Sequence, residues 1–434
     1  MKEGMVKMRT LDIKKTVIAG LAAILMISAF VPAEASFAAM KTYKSKGYAL
    51  KPYRTKDYKP VNNIHYAPLK VKSFYTYDYK EVDMPHLLGT KKGNKKIELQ
   101  TFLHLPRYWE VEGLGELELQ NPQSFSVLPD GSKAYATHIT REKSPQYKSL
   151  GVIVEYDLAR LRELELNVPG KMRGLRYPES LEDATGAGSE MAEQIRACVK
   201  VGPQFVMGHG AAFAYNPKDK HLWFVTKTKS KKTDLRRINM TTLTPDLCVN
   251  FTFDKKIAFG NNITFDKTGK VYQFQYSSSK QGKCPKHAVK IYQGTINLKA
   301  KKKVAFKLMR NVIKYPVAAN HGLQAAGYDY KLNRIYIVSN SAVMSVPVTK
   351  LKKNTVKRAD VWMTQFDVGR EFEDFEVDGR GNYYLLVNKR PEVMTNQNLV
   401  AYGLDKSQFN EVGIYVGPPM PYIPPENNND NNDL

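Results

Sequence analysis

Cysteine is nearly absent: the 434 residues hold three, Cys198, Cys248 and Cys284. Three scattered thiols cannot build a disulfide framework, so an apolar core must hold the fold. Long apolar runs are scarce as well. A single run over residues 16–31 excludes a polytopic membrane protein, and a hydrophobic content of 42% excludes a chain disordered throughout. Carboxylates are too few to balance the cations, 42 Asp and Glu against 66 Lys and Arg, which leaves a net charge of +24. Several motifs are missing. No helix-turn-helix, zinc-finger or RNP pattern accompanies the charge, so it does not point to a specific nucleic acid. No G-x-S-x-G element is present, and the GAG at 186–188 lacks the strand-turn-helix setting of a phosphate loop. Cys284 and His287 form an isolated C-x-x-H without the other two ligands of a structural zinc.

The apolar run follows Lys14 and Lys15 and precedes Ala33-Glu34-Ala35. A basic n-region, an h-region and an A-x-A site predict a cleaved secretory signal over residues 1–35, with an uncleaved anchor as the alternative. A strongly basic secreted chain points to a polyanion, because summed surface charge raises encounter rates with the opposite sign. An anionic cell-wall polymer or an anionic membrane surface suits that compartment, and solubility alone is the plainer reading.

Residues 36–94 form a basic Tyr/Lys-rich N-terminal segment in which Tyr43, Tyr48, Tyr53 and Tyr58 recur every five residues. A period of five matches neither helix nor strand, so a flexible segment is expected, dispensable for folding, whose rings are wall-binding candidates. Residues 417–434 read as a disordered Pro/Asn-rich tail without an LPxTG-like sorting sequence. Any retention at a surface is therefore expected to be non-covalent.

Between these lies a repeat: SFSVLPDGSKAYATHI, AAFAYNPKDKHLWFVTK, NITFDKTGKVYQFQYS, AAGYDYKLNRIYIVSN and FEVDGRGNYYLLVNK. Each reads as a β-hairpin with an aromatic reference residue: Tyr135, Trp223, Tyr272, Tyr336 and Tyr384. A weaker amphipathic strand follows each copy. Units near 48 residues have the size of a propeller blade, so an all-β five-bladed β-propeller is predicted over residues 95–416. Trp223 and Tyr336 are expected to be buried between blades. Residues 179–201 predict a small helical insertion between blades one and two, a sixth degenerate blade being the alternative. A strand near residues 96–105 is expected to complete the last blade.

The repeats NPQSFSVLPDGSKAYATHI and GHGAAFAYNPKDKHLWFVTK, with the high charge and few cysteines, resemble the helveticin J-type bacteriocins. They are also similar to the β-propellers of teichoic-acid-associated and phage receptor-binding proteins. The likeness covers about residues 95–415 and leaves the Tyr/Lys-rich segment outside it. It implies a five-bladed propeller and an antagonistic activity towards related cells, and supplies no catalytic motif.

Residues entering the innermost strand of each blade line the axial channel. Counting back from the reference aromatics gives Asn121, Gln123, His209, Asn261, Asn262, His321, Gln324, Glu371 and Glu373 as channel-mouth binding candidates. His209 and His321 share an offset and are each followed by Gly, so they are expected to approach one another. Such a ring could hold a metal or act as an acid/base pair; it could equally be a structural network of hydrogen bonds. The reading is a secreted propeller that binds an anionic cell-surface polymer, with an extracellular hydrolase or lyase and a non-catalytic adhesion protein as alternatives. No cofactor is specified, and no oligomeric state.

Overall fold

The computed structural model describes residues 40–62, 87–106, 108–111, 115–119, 122–141, 150–166, 168, 171–175, 188–227, 232–315, 323–339, 342–366, 371–388 and 412–416. The signal expectation, the C-terminal tail, Asn121 and His321 lie outside these residues. The chain forms two compact units, Met1–Met40, of which only Met40 is described, and Lys41–Leu434.

The second unit is built mainly from antiparallel strands. Sheet I holds Pro122–Val127, Lys133–Arg141, Leu150–Asp157 and Val199–Val201, with Phe205–Val206 also pairing to its third strand. Sheet II holds Phe213–Asn216, His221–Lys227, Lys232–Asn239 and Thr244–Thr252, and sheet III holds Thr264–Phe265, Val271–Ser277, Ala288–Ile296 and Val304–Lys314. A ten-stranded sheet follows, whose halves meet at one parallel pair, Asp329 opposite Val377. Its first half, IV, contains Ala326–Asp329, Arg334–Ser339, Ala342–Pro347 and Trp362–Phe366. The second, V, contains Glu371–Val377, Tyr383–Asn388, Val412–Val416 and Leu99–His104. As expected, Leu99–His104 pairs from the N-terminal side with Val412–Val416.

First strands pack against one another in a closed cycle, I on II, II on III, III on IV, IV on V and V on I. Five apolar cores follow the same cycle. Tyr384 of sheet V lies in the core shared with I, Tyr135 in that between I and II, Trp223 between II and III, Tyr272 between III and IV, and Tyr336 between IV and V. All five reference aromatics are therefore buried, each in the seam to the next sheet. Large rings at one strand position supply much of the apolar area there. The cycle is tightest between IV and V, where a Cβ on Gly327 would lie 1.6 Å from the Phe375 carbonyl oxygen, so this strand approach admits only glycine.

Each turn is held by its own side chains. In sheet III, Asp266 accepts backbone N–H bonds from Thr268 and Lys270 and the Tyr272 hydroxyl at 3.0 Å. Asp378 does the same for Arg380, Gly381, Asn382 and Tyr384, with Gly381 at φ 94°, a left-handed conformation open to glycine.

Two expectations are corrected. The helix Gly188–Ala197 forms, but within sheet I, between its third and fourth strands, rather than between two repeats. The N-terminal segment is not a flexible appendage over its described residues. Lys41–Tyr48 adds a fifth strand to sheet II, parallel to Thr244–Thr252, and Lys59–Val61 adds one to sheet III, parallel to Val304–Lys314. Leu50 bridges to Phe306 between them, and Thr90–Gly93 joins sheet IV. Strands N-terminal to residue 95 thus belong to the sheets, because outer strands otherwise present unpaired backbone groups that a further strand satisfies.

Candidate functional site

The first strands place polar groups on the inner side of the cycle. In sheet I, Pro122–Val127 is buried throughout, and its serines link two neighbours. The Ser124 hydroxyl donates to Asp374 Oδ2 of sheet V at 2.5 Å, and Ser126 Oγ accepts the Tyr215 N–H of sheet II at 3.0 Å. Asp374 Oδ2 also accepts the Phe125 N–H at 2.9 Å, and Oδ1 the Phe375 N–H at 2.8 Å.

Asp374 and Glu376 lie two residues apart on one strand and are both buried. Burial pushes the Asp374 carboxyl up to about 7, against the lowering effect of its donors. Glu376 is driven well above the ordinary carboxylate range by burial and then by the Asp374 charge. Between them the pair retains a proton at neutral pH.

This pair lies on the same strand as the expected Glu371 and Glu373. Strict alternation would set those two on the face of Phe375 and Val377. The pairing to sheet V's second strand shifts register between Phe372 and Asp374, and Phe372, Phe375 and Val377 all enter the core between IV and V. The extra residue of that bulge brings Phe372 to the face of Phe375 and Val377, while Asp374 and Glu376 take the opposite face by ordinary alternation. The spacing of three between Phe372 and Phe375 was the signal in the sequence, since no regular strand sets residues three apart on one face. Glu373 is buried, and the Glu371 side chain lies outside the described residues.

The other channel-mouth candidates that lie within the described residues are placed as follows. His209 is exposed, on a turn where Gly208 and Gly210 both have φ 75°. The Gly210 carbonyl accepts the Thr137 hydroxyl at 3.0 Å, so His-Gly here shapes a backbone turn with the imidazole outward. Its expected partner His321 lies outside the described residues. Asn262 is buried and braces Phe274, accepting its N–H at 2.8 Å and donating to its carbonyl at 3.2 Å. Asn261 and Gln324 are half-buried, the Gln324 N–H bonded to the Val338 carbonyl, and Gln123 is buried in the first strand of sheet I. Among the described residues, no group of three or more His, Cys, Asp or Glu side chains is arranged to hold a metal ion.

Of the four wall-binding tyrosines, Tyr58 is buried against Cys284, Ala288 and Val312, and Tyr53 meets its ring edge-on at 5.9 Å. Tyr43 packs on the core between II and III, with the Lys41 and Lys303 ammonium groups each 5.3 Å from its ring centre. Tyr43 and Tyr53 are half-buried, and Tyr48 is 48% exposed.

Among the described residues, no helix is long and apolar enough to cross a membrane. No protein-family model matches the chain, and no curated protein matches it. Among solved structures, the WD40 domain of Neurospora crassa Pan2 is similar over 76% of this chain and 76% of that one, with 8% identity and a TM-score of 0.27.

The carboxyl pair sets a pH dependence. The Asp374 carboxyl has an ordinary value of 3.8 and about 7 when folded, so between these pH values the folded chain keeps a proton that the unfolded chain has released. Its contribution to stability is present below about pH 4 and is lost as pH rises towards 7. Asp374→Asn lacks this titration. Denaturant unfolding at pH 4, 5.5 and 7 should show the variant gaining on the wild type with rising pH, and parallel pH profiles would contradict the assignment.

Proposed function

We propose that the chain is a secreted five-bladed β-propeller that binds an anionic cell-surface polymer and acts as a helveticin-like bacteriocin. The closed cycle of first strands and the five matching cores support the blade count. The single observation that carries the binding reading is the excess of 66 cations over 42 carboxylates. So large an excess of one sign costs the folded state self-repulsion and favours encounter with a polyanion.

The carboxyl pair does not turn this reading towards catalysis. Three donors already engage Asp374, and both carboxyls are buried. Asp374 joins sheet V to sheet I, and Glu376 accepts the Tyr328 N–H of sheet IV.

Cosedimentation of the purified chain with Gram-positive cell walls, intact or stripped of their anionic polymers, tests the reading. Retention on intact walls and release from stripped walls is expected. Equal retention on both would overturn it.

A further inference from the structure

The positive charge is concentrated in one part of the molecule. Residues 267–328, which contain nearly all of sheet III, hold thirteen Lys and Arg and no Asp or Glu. Of these thirteen, Lys290 alone is buried. Residues 41–61, which close the outer edges of sheets II and III, add seven cations against one carboxylate, Asp57, which faces Arg54 at 3.6 Å. The two stretches together hold twenty cations and one carboxylate.

The fold brings these two stretches together at one edge. The Lys46 N–H donates to the Lys301 carbonyl at 3.2 Å, the Val304 N–H to Ser45 Oγ at 3.3 Å, and the Lys51 N–H to the Phe306 carbonyl at 2.9 Å. Lys303 is tied inward, donating to the Leu298 and Ala300 carbonyls while its ammonium lies over Tyr43. Lys41, Lys44, Lys46, Lys299, Lys301 and Lys307 remain exposed. Among the described residues none of these six makes an ion pair with a carboxylate. Lys44 and Lys46 are two residues apart on a strand, so they face the same way about 7 Å apart.

We infer that this rim is the binding site for a linear polymer bearing phosphate at regular intervals, which runs along the edge strand Lys41–Tyr48 and the adjoining turn Asn297–Lys303. Ammonium groups are compact point charges without the planar fork of arginine, so the rim reads spacing and charge rather than the stereochemistry of one phosphate. Tyr48 stands among them as the exposed ring against which a repeat unit packs. An anionic membrane fits less well. Leu332 of sheet IV is the other exposed large hydrophobic residue among those described, so the rim lacks the apolar face that interfacial insertion needs.

The inference rests on the polymer-binding reading, and the test separates the two. Long-chain inorganic polyphosphate is titrated at low salt into the full chain, into Lys44→Glu/Lys46→Glu/Lys301→Glu, and into a control with the same charge change at exposed positions elsewhere, Lys92→Glu/Lys96→Glu/Lys353→Glu. Melting temperatures confirm that all three fold. The rim variant should lose roughly tenfold or more in affinity and the control much less, because contacts to phosphate dominate polyanion affinity while distant charges are screened. Equal losses in both variants would overturn the site and leave polymer binding standing. A wild type that does not bind polyphosphate would remove both. Binding of the wild type to vesicles of anionic phospholipid, with no binding to polyphosphate, would assign the rim to a membrane and overturn the inference.

Discussion

Removing residues 41–62 should abolish the fold of sheets II and III rather than trim an appendage. The segment buries Ala49, Leu50, Tyr58 and Val61, and it covers Phe253, Phe306 and Val312. Burying one large apolar side chain is worth about 1.5–3 kcal/mol, so Leu50, Tyr58 and Val61 alone contribute roughly 5–8 kcal/mol. That is comparable to the whole stability of a typical domain, about 5–15 kcal/mol. The deletion also strips hydrogen-bonding partners from Thr244–Thr252 and Val304–Lys314, leaving two open strand edges. The expected result is aggregation, or a melting temperature lowered by more than 10 °C in a scan of any soluble fraction, since about 1 kcal/mol moves a large domain by some 2–4 °C. An unchanged melting temperature would restore the expectation of a dispensable segment.

The second large effect is expected at Asp378. Its Oδ1 accepts three backbone N–H groups and its Oδ2 the Tyr384 hydroxyl at 3.1 Å and the Asn382 amide at 2.9 Å. The same carboxylate abuts sheet I, because a Cβ on Gly131 would lie 2.6 Å from Oδ2. Asp378→Ala leaves several buried donors without an acceptor, each costing about 1–3 kcal/mol, so a loss of roughly 3–5 kcal/mol is expected. Asp130 stands at the turn of sheet I but is exposed and accepts only from Ser132, so Asp130→Ala should cost under about 1 kcal/mol. Denaturant titration of the two variants gives the comparison. Similar losses would mean that the turn carboxylates act locally and do not join neighbouring sheets.

The repeat was legible because it combines two strong local signals, turn chemistry and an aromatic residue at a fixed distance from it. Tyr272 and Tyr384 bond to their own turn aspartates, so motif and seam are one feature. The closing strand Leu99–His104 was legible as an apolar alternation left over after the repeats. The added strand Lys41–Tyr48 was not. Tyr43 and Ser45 do alternate with exposed neighbours, but the register shifts between Lys44 and Tyr48, and the five-residue recurrence of tyrosine hides the two-residue pattern. Such a strand bonds along one edge only and buries little of either face, so its hydrophobic period is weak. Of the offset-counted residues, Gln123 and Asn262 are buried. Asp374 and Glu376 were missed because they lie 10 and 8 residues before Tyr384, nearer than the offset that picked the candidates.

The measurement that bears most directly on the binding reading is the salt dependence of polyphosphate affinity for the full chain. Binding by uncompensated lysines releases counterions from the polymer, so the logarithm of the affinity should fall linearly with the logarithm of salt concentration. From 50 to 200 mM salt a loss of about tenfold or more is expected if several of the rim lysines engage phosphate at once. An affinity that stays constant across that range, or no binding at its lower end, would contradict the proposal that the charge of +24 serves a polyanionic ligand.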